Sequence, residues 1–368
     1  SVGASCAARG VLEVEKRWRL SAFTLPASVA GNAAHVLGAG DDAFEPTRTV
    51  VSLSSSLADD GSSSKFDVAS NALVAARVSA AGIELHHRAR TGPSLASVSV
   101  NAVQFTQASG VYVQHVHVTR TVSSAPSTVV EPVDISSFPG YRAIAFTSTT
   151  VLHAVLCNDN VQFDGADVYW TARLVDDKTV ELQSRGSYYG TFEFFLQVIN
   201  WGAMNADVQH QMFAPVDTDG VSQVGAEIVG VVPASVWVIA SASSGTARAF
   251  EALYDTSVTE GVGTGARTDV AFRRQSSNSN GVTLNFQVCT FTPSSGVVVH
   301  HREVVLGSHA TSDTADFPAP ADAAAALVFT GRPYLAGGSS TAGDRTPAST
   351  MCELRVMPPR QVGVERGT

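Results

Sequence analysis

The chain repeats itself, and the repeat constrains the fold more than any single motif does. Gly110-Val111-Tyr112-Val113-Gln114-His115 follows Phe105 by five residues. Gly296-Val297-Val298-Val299-His300-His301 follows Phe291 by the same five, 186 positions later. Between them, Leu196-Gln197-Val198-Ile199-Asn200-Trp201 matches Phe286-Gln287-Val288-Cys289-Thr290-Phe291 at an offset of 90, and Asn101 to Phe105 at an offset of 96. Periods of about 90 to 96 residues are too long for short solenoid repeats and suit a small β-sandwich. The expectation is an all-β chain of tandem β-sandwich-like modules of about that length.

The strands can be followed through the copies. Val50-Val51-Ser52-Leu53, Ala143-Ile144-Ala145-Phe146, Trp237-Val238-Ile239-Ala240 and Leu327-Val328-Phe329-Thr330 each read as the opening strand of a copy. Ala76-Arg77-Val78 with Ile83-Glu84-Leu85, and Ala172-Arg173-Leu174 with Val180-Glu181-Leu182, read as hairpins around short polar turns. Val98, Val100 and Ala102 alternate with polar residues, as do Leu284, Phe286 and Val288, which predicts one buried and one wet face. Phe105, Trp201 and Phe291 should fill one equivalent buried position. Val111-Tyr112-Val113 and Val297-Val298-Val299 read as closing strands. Pro-containing segments then suggest five regions: an N-terminal strand and linker at 1–44, modules at 45–139, 140–234 and 235–322, and a shortened module at 323–368.

Composition narrows the function classes. A net charge of −9 argues against nucleic acid as a partner, because phosphate binding needs clustered Lys and Arg. No run approaches the roughly 18 apolar residues of a membrane helix. The chain opens at Ser1 without a signal-like apolar core, which reads as a processed or trimmed chain. Cys6, Cys157, Cys289 and Cys352 form no CxxC pair, so they read as small buried hydrophobes rather than a zinc site.

Candidate chemistry is sparse. Histidines cluster at His86-His87, His115, His117, His210 and His300-His301; three of these groups fall at the same closing-strand or hairpin position in successive copies, which a repeated solvent-facing polar site explains without a metal. Asp159, Asn160, Asp164 and Asp167 crowd a loop answered by Asp59-Asp60-Gly61, but not at calcium-loop spacing. Gly261, Gly263 and Gly265 lack the context of a dinucleotide site, and no hydrolase or nucleotide motif occurs. No cofactor, metal or catalytic set is expected, and a non-enzyme is the reading. Tyr169, Trp170, Tyr188 and Tyr189 are the best candidates for a sugar platform. At the ends, Val11 to Val14 and Val362 to Val364 resemble the closing strand with no full module around them. Leu12 to Leu20 also has a rival helical reading. Such strands would leave backbone groups unpaired and recruit a neighbouring module or subunit.

The signature Gln-Val-x-x-Phe/Trp, a turn, then Val-x-Val-x-His/Arg is carried by Leu196 to Trp201, Phe286 to Phe291 and the closing strands. It resembles repeats in bacteriophage virion surface proteins and large bacterial surface proteins. The likeness covers most of the chain after residue 45, and the first copy departs from it with Ala102-Val103 in place of Gln-Val. The resemblance implies a structural role on a virion or cell surface, as a capsid decoration, tail or fibre component. Its partners would be further copies or other surface proteins. The competing expectation is an adhesin or carbohydrate-binding array that meets a cell-surface glycan.

Overall fold

The computed structural model describes residues 12–24, 35–37, 44–57, 74–87, 96–122, 129–143, 148–158, 170–184, 190–213, 223–244, 254–262, 265–274, 282–301, 312–316, 329, 352–357 and 361–366. These residues build an all-β chain of antiparallel sheets joined by short 3-10 turns. Among them, no helix is long and apolar enough to cross a membrane.

Six strands make a module. Module 1 holds β1 (Val14–Thr24), β2 (His35–Leu37), β3 (Thr49–Leu57), β4 (Val74–Ser79), β5 (Gly82–His87) and β6 (Ala96–Phe105). Module 2 holds β7 (Tyr112–Val122), β8 (Val129–Asp134), β9 (Thr150–Asn158), β10 (Thr171–Leu174), β11 (Thr179–Ser184) and β12 (Gly190–Asn200). Module 3 holds β13 (Ala206–Phe213), β14 (Gln223–Val229), β15 (Val236–Ser244), β16 (Tyr254–Glu260), β17 (Arg267–Arg274) and β18 (Val282–Phe291). Module 4 contributes β19 (Ser312–Asp316), β20 (Cys352–Met357) and β21 (Gln361–Arg366).

One topology recurs. In modules 1 to 3 the first, sixth and third strands pair in that order, as β1-β6-β3, β7-β12-β9 and β13-β18-β15. The second, fifth and fourth strands form the facing sheet, as β2-β5-β4, β8-β11-β10 and β14-β17-β16, and β19-β21-β20 repeats it in module 4. The expected hairpins are present, with Ser79 opposite Gly82 and Leu174 opposite Val180. Alternation places Val98, Val100 and Ala102 of β6 in a core with Val78, Ile83 and Leu85 of the facing sheet. Phe192, Phe194 and Leu196 of β12 meet Leu174, Val180 and Leu182 in the same way.

The pairing corrects the phase of the repeat. Tyr112–Val122, read from sequence as closing one copy, is hydrogen-bonded along β12 of the next. The sheets therefore close over 14–105, 112–200 and 206–291 rather than over the units begun at 45, 140 and 235. A periodic pattern gives the length of the unit, but only hydrogen bonding sets where it is cut. The ends change accordingly. Val14 lies in β1, an extended strand paired with β6, so the helical reading of this segment fails. Val362 and Val364 lie in β21, the central strand of its sheet, with partners on both sides. β21 thus corresponds to β5, β11 and β17 and not to a closing strand. Val11 lies outside the described residues.

Candidate functional site at the module junctions

The third strand of each module is an edge of its own sheet, so one side of it carries backbone N–H and C=O groups without a ladder partner. The following module supplies those partners from side chains. The Val51 N–H of β3 donates to Gln197 Oε1 at 2.9 Å, and Gln197 Nε2 donates to the Val51 carbonyl at 2.7 Å. One module on, the Leu152 N–H of β9 donates to Gln287 Oε1 at 2.7 Å, and Gln287 Nε2 donates back to the Leu152 carbonyl at 2.7 Å. A carboxamide has one acceptor and one donor side by side, so it stands in for the peptide group of an absent neighbouring strand.

Histidines complete the junction. His115 Nε2 meets the Thr49 carbonyl at 2.9 Å, and His301 Nε2 meets the Val236 carbonyl at 2.8 Å. His210 bonds to the backbone of Thr150, the equivalent position in module 2. A carbonyl only accepts, so Nε2 of His115 and of His301 carries the proton. Burial pushes the His115 ring down to about 4, opposed by the Thr49 bond. The Val208 N–H donates to the Ser148 carbonyl, and the Val299 N–H to the Ala234 carbonyl at 2.7 Å, two residues before each histidine contact. These histidines are therefore not a repeated solvent-facing position; each fastens its module to the preceding one.

The face expected to be wet is covered for the same reason. Opposite the sandwich core, β12 presents Glu193, Phe195 and Gln197, all at most 4 % exposed. Phe195 packs on Ala75 of β4 and on Val155. The His117 ring stacks on Phe195 at 4.3 Å and lies 5.5 Å from the His86 ring of module 1. His86 Nε2 sits 3.3 Å from Glu84 Oε2, and Arg77 Nε sits 2.6 Å from the same oxygen. Burial drives the His86 ring down to about 4, and the Arg77 charge adds to it against the Glu84 bond. Burial also pushes the Glu84 carboxyl up, but hydrogen bonds from Ser79 and Arg77 outweigh it and hold the group below its usual value.

The module ends meet in an apolar hub. Phe105, Trp201 and Phe291 occupy one equivalent position there, each at most 5 % exposed, as the repeat alignment predicts. The Trp201 ring stands edge-on to Phe105 at 5.8 Å and to Phe291 at 5.3 Å. Val50, Val113, Ile199 and Cys289 fill the space between them. Polar bonds tie the connections around this hub. The Thr106 N–H donates to the Glu13 carbonyl, Asn205 Nδ2 to the Ser109 carbonyl, the Thr292 N–H to the Asn205 carbonyl and the Leu12 N–H to the Ser295 carbonyl, at 2.8–3.0 Å. Gly110 turns into β7 at φ 68°, a left-handed conformation open to glycine. Gly296 adopts the same conformation at φ 71°, but Val297-Val298-Val299, expected as a closing strand, joins no ladder among the described residues and is held instead by the Val299 and His301 contacts to the preceding module.

These contacts close a circuit. The fourth strand of module 1, β4, lies against β7, β12 and β9 of module 2. In module 2, β10 lies against β18 and β15 of module 3. In module 4, β20 lies against β1, β6 and β3 of module 1. The same donor edge and acceptor face are thus used between modules 1 and 2, 2 and 3, and 4 and 1.

Other sequence candidates fall elsewhere. Trp170 is core, with Phe192 and Phe194 each 5.0 Å from its ring, so it is not a surface platform. Tyr169, Tyr188, Tyr189, the loop carrying Asp159 to Asp167, and Asp59-Asp60-Gly61 lie outside the described residues, as does Cys6. Cys289 is a buried free thiol, as its alternation with apolar neighbours implies. Among the described residues no cluster of three or more His, Cys, Asp or Glu is placed to hold a metal ion. A cavity beside Gln114, Arg142 and Asp176 measures ≈ 10 Å³, the size of a single water. Compared with protein-family models, with curated proteins and with solved structures, the chain finds no match in any of the three.

Proposed function

We propose that the chain is a non-enzymatic structural protein of an extracellular particle, a virion component of the decoration, tail or fibre class. The observation that supports this reading is where its chemically capable side chains are used. His115, His301, Gln197 and Gln287 are committed to backbone groups of the adjoining module. His86, His117 and Glu193 are packed between modules 1 and 2 around Phe195. Such residues at a catalytic or sugar site would line a cleft and face a ligand. Here they hold sandwiches in fixed order, which suits a part whose task is to keep shape. The resemblance of the Gln-Val-x-x-Phe/Trp and Val-x-Val-x-His signature to virion and surface repeats points the same way.

The test is localisation. Antibody raised against the purified chain should label particles recovered from the source culture by density gradient, at many copies per particle. The competing reading is an adhesin. It prevails if the particles are unlabelled and the soluble chain binds defined glycans on an array.

A further inference from the structure

We propose that the junction between modules 4 and 1 also forms between chains, so that copies join head to tail with β20 of one on the β1-β6-β3 sheet of the next. This rests on the structural reading above and names its partner, a second copy of the same chain. Three observations carry it.

The contact is heterologous. Its donor is the edge strand of one module and its acceptor is the sheet face of another, so two modules joined this way always leave one unused donor and one unused acceptor. Such contacts end either by closing a ring or by adding further copies in an open helical array. Modules 1 and 2 are joined by the short connection 106–111, modules 2 and 3 by 201–205, and modules 3 and 4 by 292–311 between β18 and β19. Modules 4 and 1 meet only through space, so theirs is the junction that another chain can supply without breaking a connection.

The acceptor face of module 1 is also chemically different. Ser99 stands where module 2 has Phe195, and Asn101 stands where modules 2 and 3 have Gln197 and Gln287. The Asn101 side-chain oxygen accepts from Arg19 Nε at 2.8 Å, inside its own module. Ser52, Ser99 and Asn101 are nevertheless at most 5 % exposed, and Ser52 Oγ is buried without a hydrogen-bond partner. An aromatic contact and a two-bond amide bridge are thus replaced by small polar groups, one of them unsatisfied. On its module 1 side this junction has neither the aromatic contact nor the amide bridge, and a buried hydroxyl without a partner weakens it. A modest relaxation of the ring, with modules 1 to 3 still fastened, presents β20 at one end and the β1-β6-β3 face at the other.

Light scattering on the full chain over a concentration series tests this. The expected result is a rise from 38.4 kDa to whole-number multiples as concentration increases. Two variants assign the contact. Ser99→Glu places a charge on the acceptor face and should leave a folded monomer, with native tryptophan fluorescence, at every concentration. Leu12→Cys with Ser295→Cys should lock the ring, because the backbone contact of 3.0 Å places the two residues within disulfide reach. The oxidised protein should stay monomeric, and reduction should restore association. The proposal is overturned if the parent is monomeric throughout, or if both variants associate as the parent does. A monomeric parent that still labels particles would remove the head-to-tail contact while leaving the structural role intact.

Discussion

Replacing Gln197 measures what one junction contributes. Its carboxamide is 4 % exposed and makes two bonds, at 2.9 and 2.7 Å, to the N–H and C=O of Val51, and its Nε2 also lies 3.2 Å from His153 Nδ1. Gln197→Leu keeps most of the volume and removes both bonds, so the result reports hydrogen bonding rather than a cavity. Val51 is 1 % exposed, and water has no easy route to its backbone groups. Leaving a buried donor or acceptor unpaired costs about 1–3 kcal/mol each. The two together predict a loss of about 2–6 kcal/mol. Gln197→Glu should do at least as badly, because a carboxylate accepts from the N–H but turns an oxygen toward the carbonyl. Equilibrium urea unfolding followed by tryptophan fluorescence reads the change, with Trp201 and Trp237 at the hub as reporters. His115 bonds to Thr49 on the same strand edge, so Gln197→Leu and His115→Ala should be non-additive by more than about 0.5 kcal/mol. If Gln197→Leu unfolds within about 0.5 kcal/mol of the parent, a figure typical of exposed substitutions, the amide does not stand in for a strand and the junction argument fails.

Acid should loosen the modules. His86, His115 and His153 are each lowered from 6.5 to about 4, so their neutral forms fit the fold while the unfolded chain takes up protons first. Their contribution is complete above pH 6.5 and is lost as pH falls toward 4, so the thermal midpoint should drop across that window, and less steeply in His115→Gln. Trp201→Ala, which removes the ring touching both Phe105 and Phe291, should cost about 3–5 kcal/mol by denaturant unfolding. Gly110→Ala forces a Cβ into φ 68° and should cost on the order of 1–2 kcal/mol, measured the same way, although the space around it is open. Cys289 should resist a thiol reagent until the protein unfolds, because burial raises its pKa and closes access to it.

Most elements are legible in the sequence because their periods are local, but the opening strand expected at Ala143-Ile144-Ala145-Phe146 is not where the sequence put it: the counterpart of β3 is β9, Thr150–Asn158. β6 and β18 alternate, the β4–β5 and β10–β11 hairpins carry their turns between them, and glycine marks the left-handed residue before β7. Phe105, Trp201 and Phe291 can be placed in one buried position from spacing alone. The junction residues are also present in the signature, as the Gln of Gln-Val-x-x-Phe/Trp and the His of Val-x-Val-x-His. Their role is not legible, because each partner lies in another module and is a backbone group. A polar residue alternating with valine looks the same whether it meets water or a neighbouring strand edge. The ends mislead for a related reason: β21 and the segments entered through glycine share a Val-x-Val pattern, and only the ladder with β19 and β20 separates them.

The amide bridges read the main chain, and every residue type other than proline offers the same N–H and C=O. Gln197 grips Val51 and Gln287 grips Leu152 with nearly the same distances, although the two gripped side chains differ. The residues being held are thus released from any demand for a particular identity, so long as they keep an extended backbone and its N–H. Copies joined in this manner can drift apart in sequence until little beyond a glutamine, a histidine and a ring at fixed spacing still marks their common plan.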